Sequence, residues 1–190
     1  METKLTIKLF FIAFFIIYHG NILKAQKPSS MVDVKEINIE GFKYGDPISK
    51  CKEIFGKPKQ YKTVDQSGGL APEGIDKLYY IDYESLKVTY YEFQNKIYLD
   101  NINIKSDKYI LNVDDVNISI GDSVVVLKKS FIKSYETYRE QYGESNKEDI
   151  EHFYIDIRIP HPQYTDYGLV NVFLKEGIIT QIVLGFGGDT

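Results

Sequence analysis

The sequence predicts an α+β fold: two tandem repeats, each a short helix packed on a three- or four-stranded antiparallel sheet. Three observations carry this. The chain matches itself, apolar residues recur at helical spacing once in each half, and runs of β-branched and aromatic residues follow each helical segment. KYGDPISKCKEIFGK (Lys43–Lys57) lies without a gap on SIGDSVVVLKKSFIK (Ser119–Lys133), 76 residues later. YYIDYE (Tyr79–Glu84) lies on FYIDIR (Phe153–Arg158) at an offset of 74, and VTYYEFQNKI (Val88–Ile97) lies on VNVFLKEGII (Val170–Ile179) at an offset of 82. Matches in one order at similar offsets define internal repeats, here units at residues 36–107 and 113–187.

Within each unit the local chemistry agrees. Asp46 with Pro47, and Asp122 with Ser123, are expected helix starts, because Asp accepts hydrogen bonds at an N-cap and Pro is tolerated at the first helical position. Ile48, Cys51 and Phe55, like Val124, Leu127 and Phe131, then form one apolar stripe. Gly56 and Pro58 stop the first helix, whereas the second is expected to continue through Tyr135, Tyr138 and Tyr142. Unit one then reads as the strands KLYYIDYE, LKVTYYEF and KIYLDNINI, with Gln94-Asn95 as a tight hairpin turn. Unit two gives EHFYIDIRI, GLVNVFLK and IITQIVLGF, with Glu176-Gly177 at the matching turn. INI at Ile37 and VNISI at Val116 are expected to add an edge strand to each sheet, and Asp114-Asp115 reads as a solvated linker. The Gly- and Pro-rich stretches 65–74 and 160–168 are expected loops, where binding commonly resides.

Ahead of the repeats, Lys4 and Lys8 precede the apolar run LFFIAFFIIY (Leu9–Tyr18), and Ala25 stands at a plausible cleavage point. Basic, apolar and small residues in that order read as a secretory signal peptide over residues 1–25, followed by a linker at 26–35. An apolar run of that length is about half of the roughly 20 residues that span a bilayer, so no stable membrane insertion is expected after cleavage. No cysteine follows the run to carry a lipid, and the expected location is the periplasm or the exterior. Removing Lys4, Lys8 and Lys24 together with Glu2 leaves 20 basic residues from 23 and 26 acidic from 27, a formal charge near minus six. That balance speaks against nucleic acid, which calls for a basic face.

Catalytic signatures are missing from the sequence. Beyond the signal segment only His152 and His161 remain, without HxH, HExxH or CxxC spacing, so no metal and no cofactor are expected. No G-x-S-x-G elbow occurs, and no catalytic residue is assigned. Cys51, the lone cysteine, falls on Leu127 in the self-match and reads as an inert core thiol. The abundant tyrosines are the candidate binding residues: Tyr79, Tyr80 and Tyr83 on the first strand of unit one, Tyr90 and Tyr91 on the second, Tyr98 on the third, and Tyr164 in the later loop. Adjacent tyrosines on a strand point to opposite faces, so one of each pair should face away from the helix, and Tyr is enriched at interaction hot spots.

Two units that open with Y-G-D-P (Tyr44–Pro47) or I-G-D-S (Ile120–Ser123) into a short helix and close with antiparallel strands resemble the β-lactamase-inhibitor-protein-like fold. A single unit also resembles the small lipoprotein of the outer-membrane β-barrel assembly machine. The resemblance runs from Ile39 to Phe186 and implies a non-enzymatic extracytoplasmic protein that binds another protein with its sheet face and loops. With one Cys and no Trp the chain departs from the inhibitors' disulfide and contact tryptophans, and Ala25 and Gln26 stand where the lipoprotein carries its acylated cysteine. The expected function is an exported protein-binding module whose partner is another extracytoplasmic protein. The alternatives are an envelope enzyme, for example one combining His152 with carboxylates in a glycan-processing cleft, and a structural accessory subunit.

Overall fold

Alternating apolar residues dominate the chain, and in the computed structural model most of it is sheet. The structure describes residues 31–66, 74–134, 136, 151–159 and 167–186. The expected signal peptide (1–25), Tyr135, Tyr138, Tyr142, His161 and Tyr164 lie outside the described residues, but the second helix does not run on unbroken as expected: it ends at Ser130, capped by Phe131 at φ −122°, ψ 56°. The elements run β1 (Met31–Asp33), a 3₁₀ turn (Val34–Glu36), β2 (Ile37–Ile39), β3 (Phe42–Lys43), α1 (Ile48–Phe55), β4 (Gln60–Asp65), β5 (Ile75–Asp82), β6 (Leu86–Phe93) and β7 (Lys96–Ile104). They continue with β8 (Leu111–Val113), β9 (Val116–Ile118), α2 (Val124–Ser130), β10 (His152–Arg158), β11 (Tyr167–Lys175) and β12 (Ile178–Gly185). The α+β class is therefore as expected, with few helices.

The sheets are larger than expected. One has eight strands in the order β1-β10-β11-β12-β7-β6-β5-β4, and a second has four in the order β3-β2-β8-β9. Strands from both halves of the chain thus share each sheet, where the sequence suggested a separate three- or four-stranded sheet per half. The large sheet closes at β7 and β12, which pair from Ile182↔Ile104 to Gly185↔Asn101. Had either strand remained an edge, its row of N–H and C=O groups would stand unpaired beside apolar side chains, and pairing satisfies both rows. β1 joins β10 in parallel, and every other neighbouring pair is antiparallel.

INI and VNI do not extend the large sheet. Each folds back as one arm of a hairpin, and β2 pairs with β8 to build the smaller sheet. The turns explain this. Glu40-Gly41 and Asp114-Asp115 both have positive φ at the two central positions, as do Gln94-Asn95 and Glu176-Gly177, the two turns expected from the sequence. That geometry matches the twist of a two-residue hairpin. Asp114-Asp115 is thus a hairpin turn rather than a linker.

The G-D pairs also act differently from expectation. Asp46 Oδ2 accepts from Lys43 N at 2.8 Å and Asp122 Oδ2 accepts from Ser119 N at 2.8 Å. In both turns the preceding glycine, Gly45 or Gly121, holds φ near +90°, a conformation that side chains bearing a Cβ resist. The carboxylate therefore closes a turn ahead of the helix. The N-cap falls one residue later, on Pro47 without a side-chain bond and on Ser123, whose hydroxyl accepts from Val125 N.

Among the described residues, all buried apolar side chains belong to one cluster. It joins the inner face of the large sheet (Ile81, Val88, Tyr90, Leu99, Ile155, Val170, Val172, Ile182) to the small sheet (Ile37, Ile39, Leu111, Ile118) and to Cys51, Val124 and Leu127 of the helices. Ile48, Phe55 and Phe131 of the expected stripes pack partly buried against it. Phe55 is a hub, edge-on to Phe42, Tyr83 and Tyr109 at 5.5–5.7 Å. β4 was not expected: QYKTVD is polar because it lies exposed at the sheet's edge, where nothing demands alternation.

Candidate interaction surface

With one face of the large sheet committed to the core, strand alternation sends every second residue to the outer face. The register aligns these residues in rows. One row crosses all eight strands: Lys62, Tyr80, Thr89, Asn101, Gly185, Leu169, Asp156, Met31. A second carries Asn103, Val183, Asn171 and Tyr154 across the centre. Two aromatic groups flank this polar centre. Tyr80 lies to one side with Tyr91 and Tyr98, whose rings stack at 5.3 Å. Tyr154, His152 and Phe173 lie to the other, with the His152 ring edge-on to Phe173 at 4.7 Å.

The centre itself is low. A Cβ at Gly185 would meet nothing within 4 Å, which leaves a notch between Asn101 and Leu169. Beside it Gln181 Nε2 donates to Asn103 Oδ1 at 3.1 Å. His152 Nδ1 and Asn171 Oδ1 are buried without a hydrogen-bond partner among the described residues. Asp156, next to Met31 at the end of the long row, has its carboxyl pKa raised by partial desolvation.

The candidate tyrosines divide sharply. Tyr80 is 41% exposed, and Tyr91 and Tyr98 are half-buried, all three on the outer face. Tyr90 and Tyr83 belong to the core, at 1% and 9% exposure, and present no ring to a partner. The Tyr90 hydroxyl donates to Asp46 O at 3.3 Å, and Tyr83 Oη lies 3.5 Å from Cys51 Sγ. Burial pushes both phenols well above their ordinary range and raises the Cys51 thiol, so the thiolate is disfavoured. Tyr79 points inward and donates to Glu92 Oε2. That bond carries the phenol up to about 12 and holds the Glu92 carboxyl below its usual value.

Alternation forced the tyrosine pairs apart, but only the register shows which member faces out. Sequence reasoning also missed Gly185, Asn101 and Asn103, which become neighbours only through the β7–β12 seam, and Phe173, which meets His152 across the β10–β11 pair. No group of three or more His, Cys, Asp or Glu among the described residues is placed to hold a metal ion. Nor is any described helix long and apolar enough to cross a membrane. Comparison with family models, with curated proteins and with solved structures finds no match.

Proposed function

We propose that the chain is an exported, non-enzymatic module that binds another extracytoplasmic protein with the outer face of its eight-stranded sheet. The observation that supports this most is the arrangement of that face, with half-exposed aromatic rings on both sides of a low, uncharged, amide-rich centre. Rigid aromatic rings bring large contact area at small entropic cost, and amides can both donate and accept. A partner with a protruding loop or helix end suits such a saddle. The reading includes a signal peptide over residues 1–25 and a tandem repeat. Three features favour the repeat: the self-matching segments, the order hairpin, helix, antiparallel meander in each half (four strands, β4–β7, in the first and three, β10–β12, in the second), and the identically closed G-D turns.

Capture from the envelope fraction of producing cells tests the binding reading. The wild-type chain is expected to retain a stoichiometric partner. Gly185→Leu, which fills the notch, and the double variant Tyr80→Ala/Tyr154→Ala are expected to lose it with unchanged melting temperature. Equal recovery by all three would sink the proposal. N-terminal sequencing of the exported protein is expected to begin at Gln26.

A further inference from the structure

Residues 43–62 hold six lysines against Asp46 and Glu53, whereas the whole chain is acidic, with a formal charge of −4. Two of these lysines are compensated, Lys50 by Glu53 at 2.8 Å and Lys59 by Glu84 at 3.5 Å. Lys57 and Lys62 have no ion pair among the described residues, and the Lys52 ammonium sits 4.5 Å above the Tyr61 ring, itself 44% exposed. Lys52, Gly56, Lys57, Pro58 and Tyr61 line an open groove of about 560 Å³ between the end of α1 and β4.

β4 is the last strand of the large sheet, and among the described residues no strand covers its outer edge. Gln66 N donates to Asp76 O, its register partner on β5, so the even-numbered residues of β4 bond inward. Tyr61 and Thr63 therefore aim N–H and C=O outward. Lys62, which pairs with the outward-facing Tyr80, stands on the outer side of the sheet, whereas Tyr61, Lys52 and Lys57 lie on the inner side.

The geometry points to the edge of β4 as a docking site for an extended acidic peptide, which adds as a ninth strand and places carboxylates against Lys62 on one side and Lys52 and Lys57 on the other. Main-chain bonds to Tyr61 and Thr63 supply register, and the lysines supply the preference for acidic sequence. The uncompensated charge selects this occupant: a neutral strand leaves the lysines unanswered, and a basic one is repelled. The site uses none of the aromatic residues of the outer face, so either proposal can fail alone.

The test is fluorescence anisotropy of the full exported chain with a labelled Glu-Val repeat peptide, a Lys-Val repeat, single-stranded DNA and phosphatidylglycerol vesicles. The expected result is binding of the Glu-Val peptide alone. Its affinity should fall at least about fivefold between about 20 and about 300 mM salt, as screening shortens the reach of exposed charges. Thr63→Pro removes one outward donor and leaves the β4–β5 ladder intact, and is expected to weaken binding about tenfold. Lys52→Ala/Lys57→Ala should weaken it and flatten the salt dependence. Amide exchange at Tyr61 and Thr63 should slow when wild type meets the peptide, a readout that does not depend on how Thr63→Pro folds. Failure to bind the Glu-Val peptide, equal binding of DNA or vesicles, or unchanged exchange at those amides would overturn the proposal.

Discussion

The segments that match each other in sequence carry different core chemistry. In the self-matching segments Cys51, Tyr83 and Tyr90 of the first half align with Leu127, Ile157 and Val172 of the second. All six are buried, at 0%, 9%, 1%, 0%, 0% and 0% exposure. In the first half a small residue on the helix meets a large ring, with Tyr83 Oη 3.5 Å from Cys51 Sγ, whereas the aligned residues of the second half are all aliphatic. The first arrangement brings a thiol and two hydroxyls into the core, and these are accommodated because they meet each other and the Asp46 carbonyl. A core can thus keep its burial pattern while exchanging volume between layers.

The largest expected effect breaks the aliphatic side: Leu127→Ala should cost about 3–4 kcal/mol by leaving a cavity, read as a lower denaturation midpoint with unchanged slope. Next, Cys51→Leu imposes the second half's residue on the first and should cost about 1–3 kcal/mol, since Tyr83 and Tyr90 already fill the added volume. If that variant proves neutral, the volume exchange is wrong. In the same position the native thiol should resist labelling reagents until the chain unfolds. Tyr90→Phe removes the hydroxyl that meets the Asp46 carbonyl and should cost about 1 kcal/mol. Asp46→Ala and Asp122→Ala should each cost about 1 kcal/mol and agree with one another, because each breaks the same turn-closing bond; a clear difference would show that the turns are not equivalent.

The smallest effect concerns charge. Because the folded-state pKa of Glu92 is lowered, its contribution is present at neutral pH and is lost as pH falls through the carboxylate range. The raised Tyr79 phenol contributes in the opposite sense, fully below its ordinary value of 10.0 and decreasingly as pH climbs to about 12. Tyr79→Phe should leave stability at pH 7 nearly unchanged and let the Glu92 pKa rise, as carboxyl chemical shifts in an NMR titration would show.

Strands β5 to β7 and β10 to β12, the turns at Gln94-Asn95 and Glu176-Gly177 and the helical stripes were all legible, because each is a local pattern with a local cause. β4 was not, since an exposed edge strand has no buried face to impose alternation. β1 was not, since Met31–Asp33 is too short to show a pattern and pairs in parallel with a strand far along the chain. Of the outer surface, the tyrosine pairs were visible but the notch was not. Gly185 shows nothing unusual in sequence and matters only because Asn101 and Leu169 stand beside it.

By itself the sequence determined which segments alternate, where the chain turns and that Cys51 lies on an apolar stripe, because side-chain periodicity and backbone sterics act over a few residues. The tertiary structure decided that the two halves share one sheet, that Tyr90 is core while Tyr80 is surface, and that β4 is an edge. Those outcomes depend on which distant strands satisfy each other's hydrogen bonds, and a one-residue change of register would send each of these side chains to the other face.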